Sequence, residues 1–340
     1  MQRSRTQGGL RLLRGTDQGF SLLELMVGLV VAFIVIIAGY TVLTGASKST
    51  RANEQTVDTQ QNARIAMEVI TQDLKMAGFG MIGPVGGCAA AIVPNDNVSG
   101  GALTAINDTG PDGISLVIPT LSGTLSAAAP VVAGTSFDTI SVSGVAAGSI
   151  ISIGGAMTAT VSAVGPVKLS NFIPAPVIFP IGTPVYTLQC ITYSIGATAA
   201  ACPGSNAPCL LRAGAPITDG IEDIQFAYGC DGCVVTINAG VPDKIIDDQN
   251  GSGAFDQADF VSNSSWVTPP MTPDKIRLVQ VTIVARQTAV DQGFGEDNKS
   301  GILTPAALQV SDHLHTVTPT YQQFRRRVLT RTVETRNMGL

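Results

Sequence analysis

Twenty-four consecutive residues, Phe20 to Leu43, carry a single charge, Glu24. About 20 apolar residues suffice to cross a bilayer as one helix, so this run constrains everything that follows it. Before it, Met1 to Gln18 bears Arg3, Arg5, Arg11 and Arg14 against Asp17 alone. An arginine-rich flank stays on the cytoplasmic side, which places the C-terminal bulk outside. A carboxylate in the apolar run costs about 2.5–3.5 kcal/mol by insertion scales. Glu24 therefore needs a reason. A cleaved secretory signal does not fit, because its apolar core is shorter and a small-residue cleavage site follows it. Here Gly19 precedes the run. A plain signal anchor fits the length and explains neither Gly19 nor Glu24.

The string Gly19-Phe20-Ser21-Leu22-Leu23-Glu24-Leu25 resembles the processing site of type IV pilins and their relatives. The resemblance implies that a prepilin peptidase cuts after Gly19 on the cytoplasmic face and methylates the new amino terminus of Phe20. Glu24 then becomes the fifth residue of the mature chain. Its carboxylate would offset the N-terminal ammonium of a neighbouring subunit, giving a buried charge its counter-charge. The expected organisation is a leader over 1–19 and a long helix over 20–77, its transmembrane part over 20–43. An exported β-rich head over 78–340 follows, with a Gly/Ala/Ser-rich insertion at about 98–165. Major pilins often have a Pro past the middle of the apolar segment. This chain has none there, and Gly39 and Gly45 are the nearest weak points. A minor subunit tolerates that absence more readily than a filament-building one.

Removing the leader's four Arg and one Asp from 20 basic and 25 acidic residues leaves 16 against 24, a net charge of −8. A general nucleic-acid binder carries a basic surface, so no nucleic-acid partner is expected. Six cysteines, Cys88, Cys190, Cys202, Cys209, Cys230 and Cys233, all fall in the exterior part. An even count in an oxidising compartment favours disulfides, with fifteen possible connectivities. Sequence neighbours suggest Cys202 with Cys209 and Cys230 with Cys233, leaving Cys88 for Cys190. A zinc site from Cys230-x-x-Cys233 and a second pair is the alternative, although the Cys202 to Cys209 spacing suits it poorly.

Residues Ser47 to Asn62 are polar, without Gly or Pro, and continue the helix past the membrane as an exposed or inter-subunit segment. Ala63, Met67, Ile70, Leu74 and Ala77 then recur at spacings of four and three, a core-facing helical stripe. Gly78, Gly80, Gly83 and Pro84 end the helix. From Ser21 to Ala77 it would run roughly 85 Å at 1.5 Å per residue. Beyond it, β-type runs recur at Gly113–Pro119, Phe137–Val145, Ser149–Ile153, Ala159–Val164 and Val185–Ile195. More follow at Ile224–Tyr228, Val234–Ile237, Ile276–Ala285 and Arg327–Thr335. The nearly uncharged Ala/Gly/Ser/Thr stretch Val98–Val164 reads as a compact small-residue β unit, with a disordered insertion as the competing reading. The fold class is α+β and pilin-like: a long N-terminal helix packed on a mainly antiparallel β-rich head.

Four later blocks are similar to PilW-type minor pilins, in the family's order. Ile70–Cys88 is similar to the end of their long helix, and Gly220–Asp231 to a strand ending in Tyr-Gly-x-Asp. Lys275–Arg286 looks like the following core strand, and Phe324–Asn337 like the terminal Arg-rich strand. The resemblance implies assembly rather than catalysis. The partners it implies are prepilin peptidase, other minor pilins, the major pilin and a PilY-type tip adhesin. It also implies a single-pass inner-membrane protein with a periplasmic head, carried later to the pilus at the cell surface. There it would prime assembly or sit at the tip.

The strongest local ligand pattern is Asp248 to Asp259. Oxygen ligands at the first, third and fifth positions with Gly at the sixth are the calcium-loop pattern. Asp248, Asn250 and Ser252 would give side-chain oxygens and Ala254 its carbonyl. Asp256 would act directly or through water, and Asp259 would close the loop. Helix-flanked loops have a bidentate Glu there, so the shorter Asp259 arm predicts weak affinity. The competing reading is a solvated acidic turn. Calcium is the cofactor this pattern suggests. His313 and His315 lie on one side of a strand with no Cys or carboxylate cluster beside them, and read as surface histidines. Arg325, Arg326 and Arg327 read as flanking an edge strand and pairing with acidic neighbours. No phosphate-cradling loop or nucleophile elbow appears, so an enzyme is not expected. Two rivals share the helix: a type II secretion pseudopilin of the GspJ kind, and a tip binding module for adhesion or DNA uptake.

Overall fold

The computed structural model describes residues 19, 21–96, 110–125, 129–131, 145–163, 168–169, 177–206, 208–234, 240–262, 266–267, 269–290, 308–311, 313–315 and 323–338. The chain divides into two units, 1–53 and 54–340.

One helix, α1 (Leu22–Met76), contributes to both units. It runs uninterrupted through Gly39 and Gly45. In the first unit every residue from Leu22 to Leu43 is exposed, including Leu25, Val30, Phe33 and Ile36. This part is apolar all round, and the helix is long and apolar enough to cross a membrane.

In the second unit the helix becomes one-sided. Ala63, Ala66, Met67, Ile70 and Leu74 are buried, and Ala77 just beyond the helix end joins them. Arg64, Glu68 and Lys75 stay exposed, as a 3.6-residue period requires of a helix lying on a core. The exit is fixed by Gly78, whose φ of +78° lies in the left-handed region. Its N–H donates to Val117 O at 2.9 Å, and a Cβ there would meet the Ala91 Cβ at 2.7 Å. Glycine satisfies both demands.

The named strand pairs of the head are all antiparallel. The larger sheet contains β1 (Ile92–Asn95), β2 (Gly113–Thr124), β4 (Ile150–Ile153), β5 (Met157–Ala163), β6 (Lys168–Leu169) and β8 (Pro184–Gly196). Attached to it are β9 (Cys209–Arg212) and β10 (Ala215–Asp219). Its spine is β8. One edge of β8 pairs with β2, while the other pairs with β4 at Val185–Leu188 and with β9 at Tyr193–Gly196. The second sheet has the order β11 (Ile221–Cys230), β12 (Ile276–Arg286), β15 (Arg326–Glu334). Two small pairs complete the set: β3 (Ala129–Val131) with β7 (Val177–Phe179), and β13 (Gln309–Val310) with β14 (His313–Leu314).

The helical stripe shares one core with both sheets, through Leu116 and Tyr193 on one and Phe226, Val281 and Ile283 on the other. A second core, with Ile151, Ile153, Met157, Val161 and Val185 among its members, is built on β4, β5 and β8. The described part of the small-residue insertion is thus a packed β unit. Of the expected strands, 137–144, 164 and 235–237 lie outside the described residues, and Val234 is in no strand. The strands β1, β9 and β10, four or five residues each, carry too little pattern to be expected from sequence.

Candidate functional site

Gly19 is exposed and Ser21 O accepts from Leu25 N at 3.1 Å, so the helix begins directly behind the expected cleavage position. Phe20 lies outside the described residues. Glu24 is exposed in the first turn of α1, on a surface built largely of Leu, Val, Ile and Phe. A negative charge there also suits the positive end of the helix dipole.

The head holds the C-terminal part of the helix with a second carboxylate. Asp73 is buried on the core face, where its Oδ2 accepts from the Tyr193 hydroxyl and from Arg212 Nε at 2.8 Å. Arg212 Nε also donates to Tyr193 Oη at 3.2 Å. Burial, and then the bond to Asp73, push the Tyr193 hydroxyl well above its ordinary range, so it stays a donor. Helix, β8 and β9 are thereby joined at one oxygen. In the sequence Asp73 stands beside the stripe, next to Leu74, and nothing local marks it as buried.

The six cysteines form Cys88–Cys190, Cys202–Cys209 and Cys230–Cys233. The first ties the segment after the helix to β8, across a sequence separation of 102. With their sulfurs bonded to each other, Cys230 and Cys233 do not serve the zinc alternative. Their turn is organised by buried Asp247, which accepts from the N–H groups of Gly232, Cys233 and Val234 at 3.1, 2.6 and 3.1 Å. Beside it, Lys275 Nζ donates to three carbonyls, of Gly232, Gly240 and Pro270.

The Asp248–Asp259 loop folds around its own carboxylates. Asp248 Oδ1 accepts from Gly251 N at 2.7 Å and Ser252 N at 3.1 Å, and Oδ2 accepts from Gly253 N. Asn250 Oδ1 accepts from Ser252 N, and Ser252 Oγ donates to Ala254 O. Asp256 Oδ1 accepts from Ala258 N and Asn250 Nδ2. Asp259 accepts from Asp256 N at 2.6 Å and Asn250 N at 3.1 Å, bonds that hold its carboxyl below the usual carboxylate range. Gly253, the sixth residue, has φ +93°. Phe255 anchors the loop on β11, its Cζ 3.2 Å from where a Cβ on Gly229 would stand. The oxygens named from sequence thus lie in one loop, and backbone N–H groups engage the carboxylates.

The histidines are not on the surface. His313 and His315 are 9% and 7% exposed, and both turn inward onto Asp223 of β11. The expectation of surface histidines fails because their partner is 90 residues away in sequence. The arginine run divides: Arg327 is exposed, whereas Arg326 is a bidentate partner of Glu222 through Nε and Nη2. Arg286 stands 3.6 Å from the same carboxylate and lies over the Phe324 ring. These contacts seat β15, an edge strand, against β11 and β12.

Two family models match the chain. Residues 193–337 match the model described as type IV pilus-assembly protein W, and residues 14–40 match the prokaryotic N-terminal methylation motif. The first runs from the end of β8 through β15, including Asp223 and the Asp248–Asp259 loop. The second spans Gly19, Phe20 and Glu24. The Ile70–Cys88 block lies outside both. No curated protein and no solved structure matches the chain. A methylation motif opening a long apolar helix, together with the PilW match over residues 193–337 of the head, is consistent with a PilW-like pilin of the type IV pilus.

Proposed function

We propose that the protein is a minor pilin that helps to prime pilus assembly or occupies the pilus tip. Prepilin peptidase removes residues 1–19 and methylates Phe20; the mature chain then leaves the inner membrane to join other minor pilins and the major pilin. The observation that carries this reading is Glu24, one exposed carboxylate on a helix surface that is otherwise apolar. Such a surface is suited to lipid before assembly and to neighbouring helices afterwards. A carboxylate in that setting selects a partner that brings a positive charge, and a processed N-terminus is one. The head, stapled by three disulfides, faces the oxidising exterior and contacts the next minor pilin or a PilY-type adhesin.

The test is mass spectrometry of the mature N-terminus in wild-type and Glu24→Ala strains, with pilus counts. The expected result is methylated Phe20 in both and a loss or strong reduction of pili in the variant. Processing with normal piliation would instead direct attention to protein secretion and a GspJ-like role. An unprocessed N-terminus would remove the pilin reading.

We also propose that the Asp248–Asp259 loop takes calcium, on the order of its oxygens and the positive φ of Gly253. Calcium would raise the thermal midpoint of the wild-type chain and leave that of an Asp248→Ala/Asp256→Ala chain unchanged. Equal response of the two chains would leave the loop as an acidic turn.

A further inference from the structure

The chain has two histidines in all, and both converge on one oxygen atom. His313 Nδ1 lies 2.8 Å and His315 Nε2 2.9 Å from Asp223 Oδ2. The rings are stacked, with centroids 4.5 Å apart. Asp223 is fully buried and both histidines are nearly so. Asp223 Oδ1 accepts from Gln225 Nε2 at 3.0 Å, and the same amide nitrogen donates to Gly110 O at 3.1 Å. With Nε2 so committed, Gln225 Oε1 is a buried acceptor that finds no donor among the described residues.

We propose that Asp223, His313 and His315 form a site for a divalent transition metal, zinc in the first instance. One nitrogen from each ring and one carboxylate oxygen lie within 4.8 Å of one another. In a tetrahedral zinc site, with bonds of about 2.0–2.1 Å, ligand atoms stand about 3.3–3.4 Å apart. The two nitrogen–oxygen separations of 2.8 and 2.9 Å would open by about half an ångström around the ion, and the two nitrogens, within 4.8 Å of each other, would settle to a similar spacing. Two imidazoles and a carboxylate are a donor set that zinc accepts. Gln225 is two residues along β11 and already bonded to Asp223. Its Nε2 bond to Asp223 Oδ1 holds the carboxylate in place behind the ligating oxygen. Each imidazole binds as the neutral tautomer protonated on its other nitrogen, so the ion replaces the two N–H donors now facing Asp223.

The ion would join β11 to the β13–β14 hairpin, closing a chain segment of 90 residues. The calcium-loop oxygens belong to other residues, and the six cysteines are paired in disulfides, so an imidazole signature reports on this site alone.

The experiment uses the full chain in detergent, purified on a histidine-free tag, stripped with chelator and dialysed against zinc or cobalt. The expected result is about one equivalent of zinc per chain, visible ligand-field bands with cobalt, and loss of both in His313→Gln/His315→Gln. Because that variant also removes buried hydrogen bonds, the wild-type chain is read independently by NMR of its two histidine rings. Zinc should shift both sets of ring signals. A folded wild-type chain whose ring signals ignore saturating zinc, or a double variant that keeps its full equivalent, would overturn the proposal and leave a hydrogen-bonded triad.

Discussion

Two carboxylates stand on the same helix and face opposite problems. Glu24 is exposed among apolar side chains, whereas Asp73 is buried and engaged within its own head by Tyr193 and Arg212. The surrounding helix surface differs in the same way. From Leu22 to Leu43 it has no polar side, whereas from Ala63 to Leu74 one stripe is buried and the other face is charged. The first pattern leaves the choice of neighbours to lipid or to other helices; the second fixes the neighbours within the fold. One continuous helix thus carries an exposed apolar surface, to which we assign assembly, and a folding surface, and a mutation should affect one without the other.

The largest separation should come from two isoleucines. Ile70→Ala removes a fully buried side chain and should destabilise the head by about 3–4 kcal/mol, within the range for such cavities. Ile36→Ala removes an exposed one and should change head stability by less than about 0.5 kcal/mol. Urea unfolding of the full chain in detergent measures both. Trp266, the single tryptophan, is buried against Tyr228 and reports on the head. Equal effects at the two positions would break the distinction.

The carboxylates themselves should differ next. Asp73→Ala leaves the Tyr193 hydroxyl without its acceptor and Arg212 without its counter-charge. The Arg212 side chain is 33% exposed, so water relieves part of the loss, and about 2–3 kcal/mol is expected rather than the larger penalty of a fully buried pair. Glu24→Ala should leave the same urea midpoint unchanged while lowering piliation. A shift of that midpoint by Glu24→Ala would mean that the head also reads the first turn of the helix.

The helix halves were legible because each has a periodic or compositional signature that needs no distant partner. The stripe from Ala63 to Ala77 follows from 3.6-residue spacing, and α1 ends at Met76, within one residue of the expected stop. The long strands β2, β8, β11, β12 and β15 were visible for a like reason, since runs of β-branched residues between turn residues mark them locally. The polar constellations were not visible. Asp73 meets Tyr193 and Arg212 across 120 and 139 residues, and Asp223 meets the histidines across 90 and 92. Nothing local distinguishes a carboxylate that the fold will bury from one left in water. The short strands β9 and β10 follow the same logic, since β9 is held by its pairing to β8 and β10.

The smallest effect tests whether the Asp73 contact works through a neutral phenol. Burial and Asp73 hold the Tyr193 hydroxyl well above its ordinary range, whereas in the unfolded chain it ionises near its usual value of about 10. Above that pH the unfolded chain binds fewer protons than the folded one, so stability falls as pH rises. The contribution is intact below about pH 10 and declines through pH 11, by about 1 kcal/mol for this one group. Tyr228, buried and likewise raised, adds a parallel decline. Tyr193→Phe removes the first and keeps the second, so its stability should fall by about 1 kcal/mol less than that of wild type between about pH 9.5 and 11. The two chains should be compared by Trp266 fluorescence in urea at each pH. Parallel declines would mean that Tyr193 ionises as readily in the head as in the unfolded chain, and that Asp73 is held by Arg212 alone.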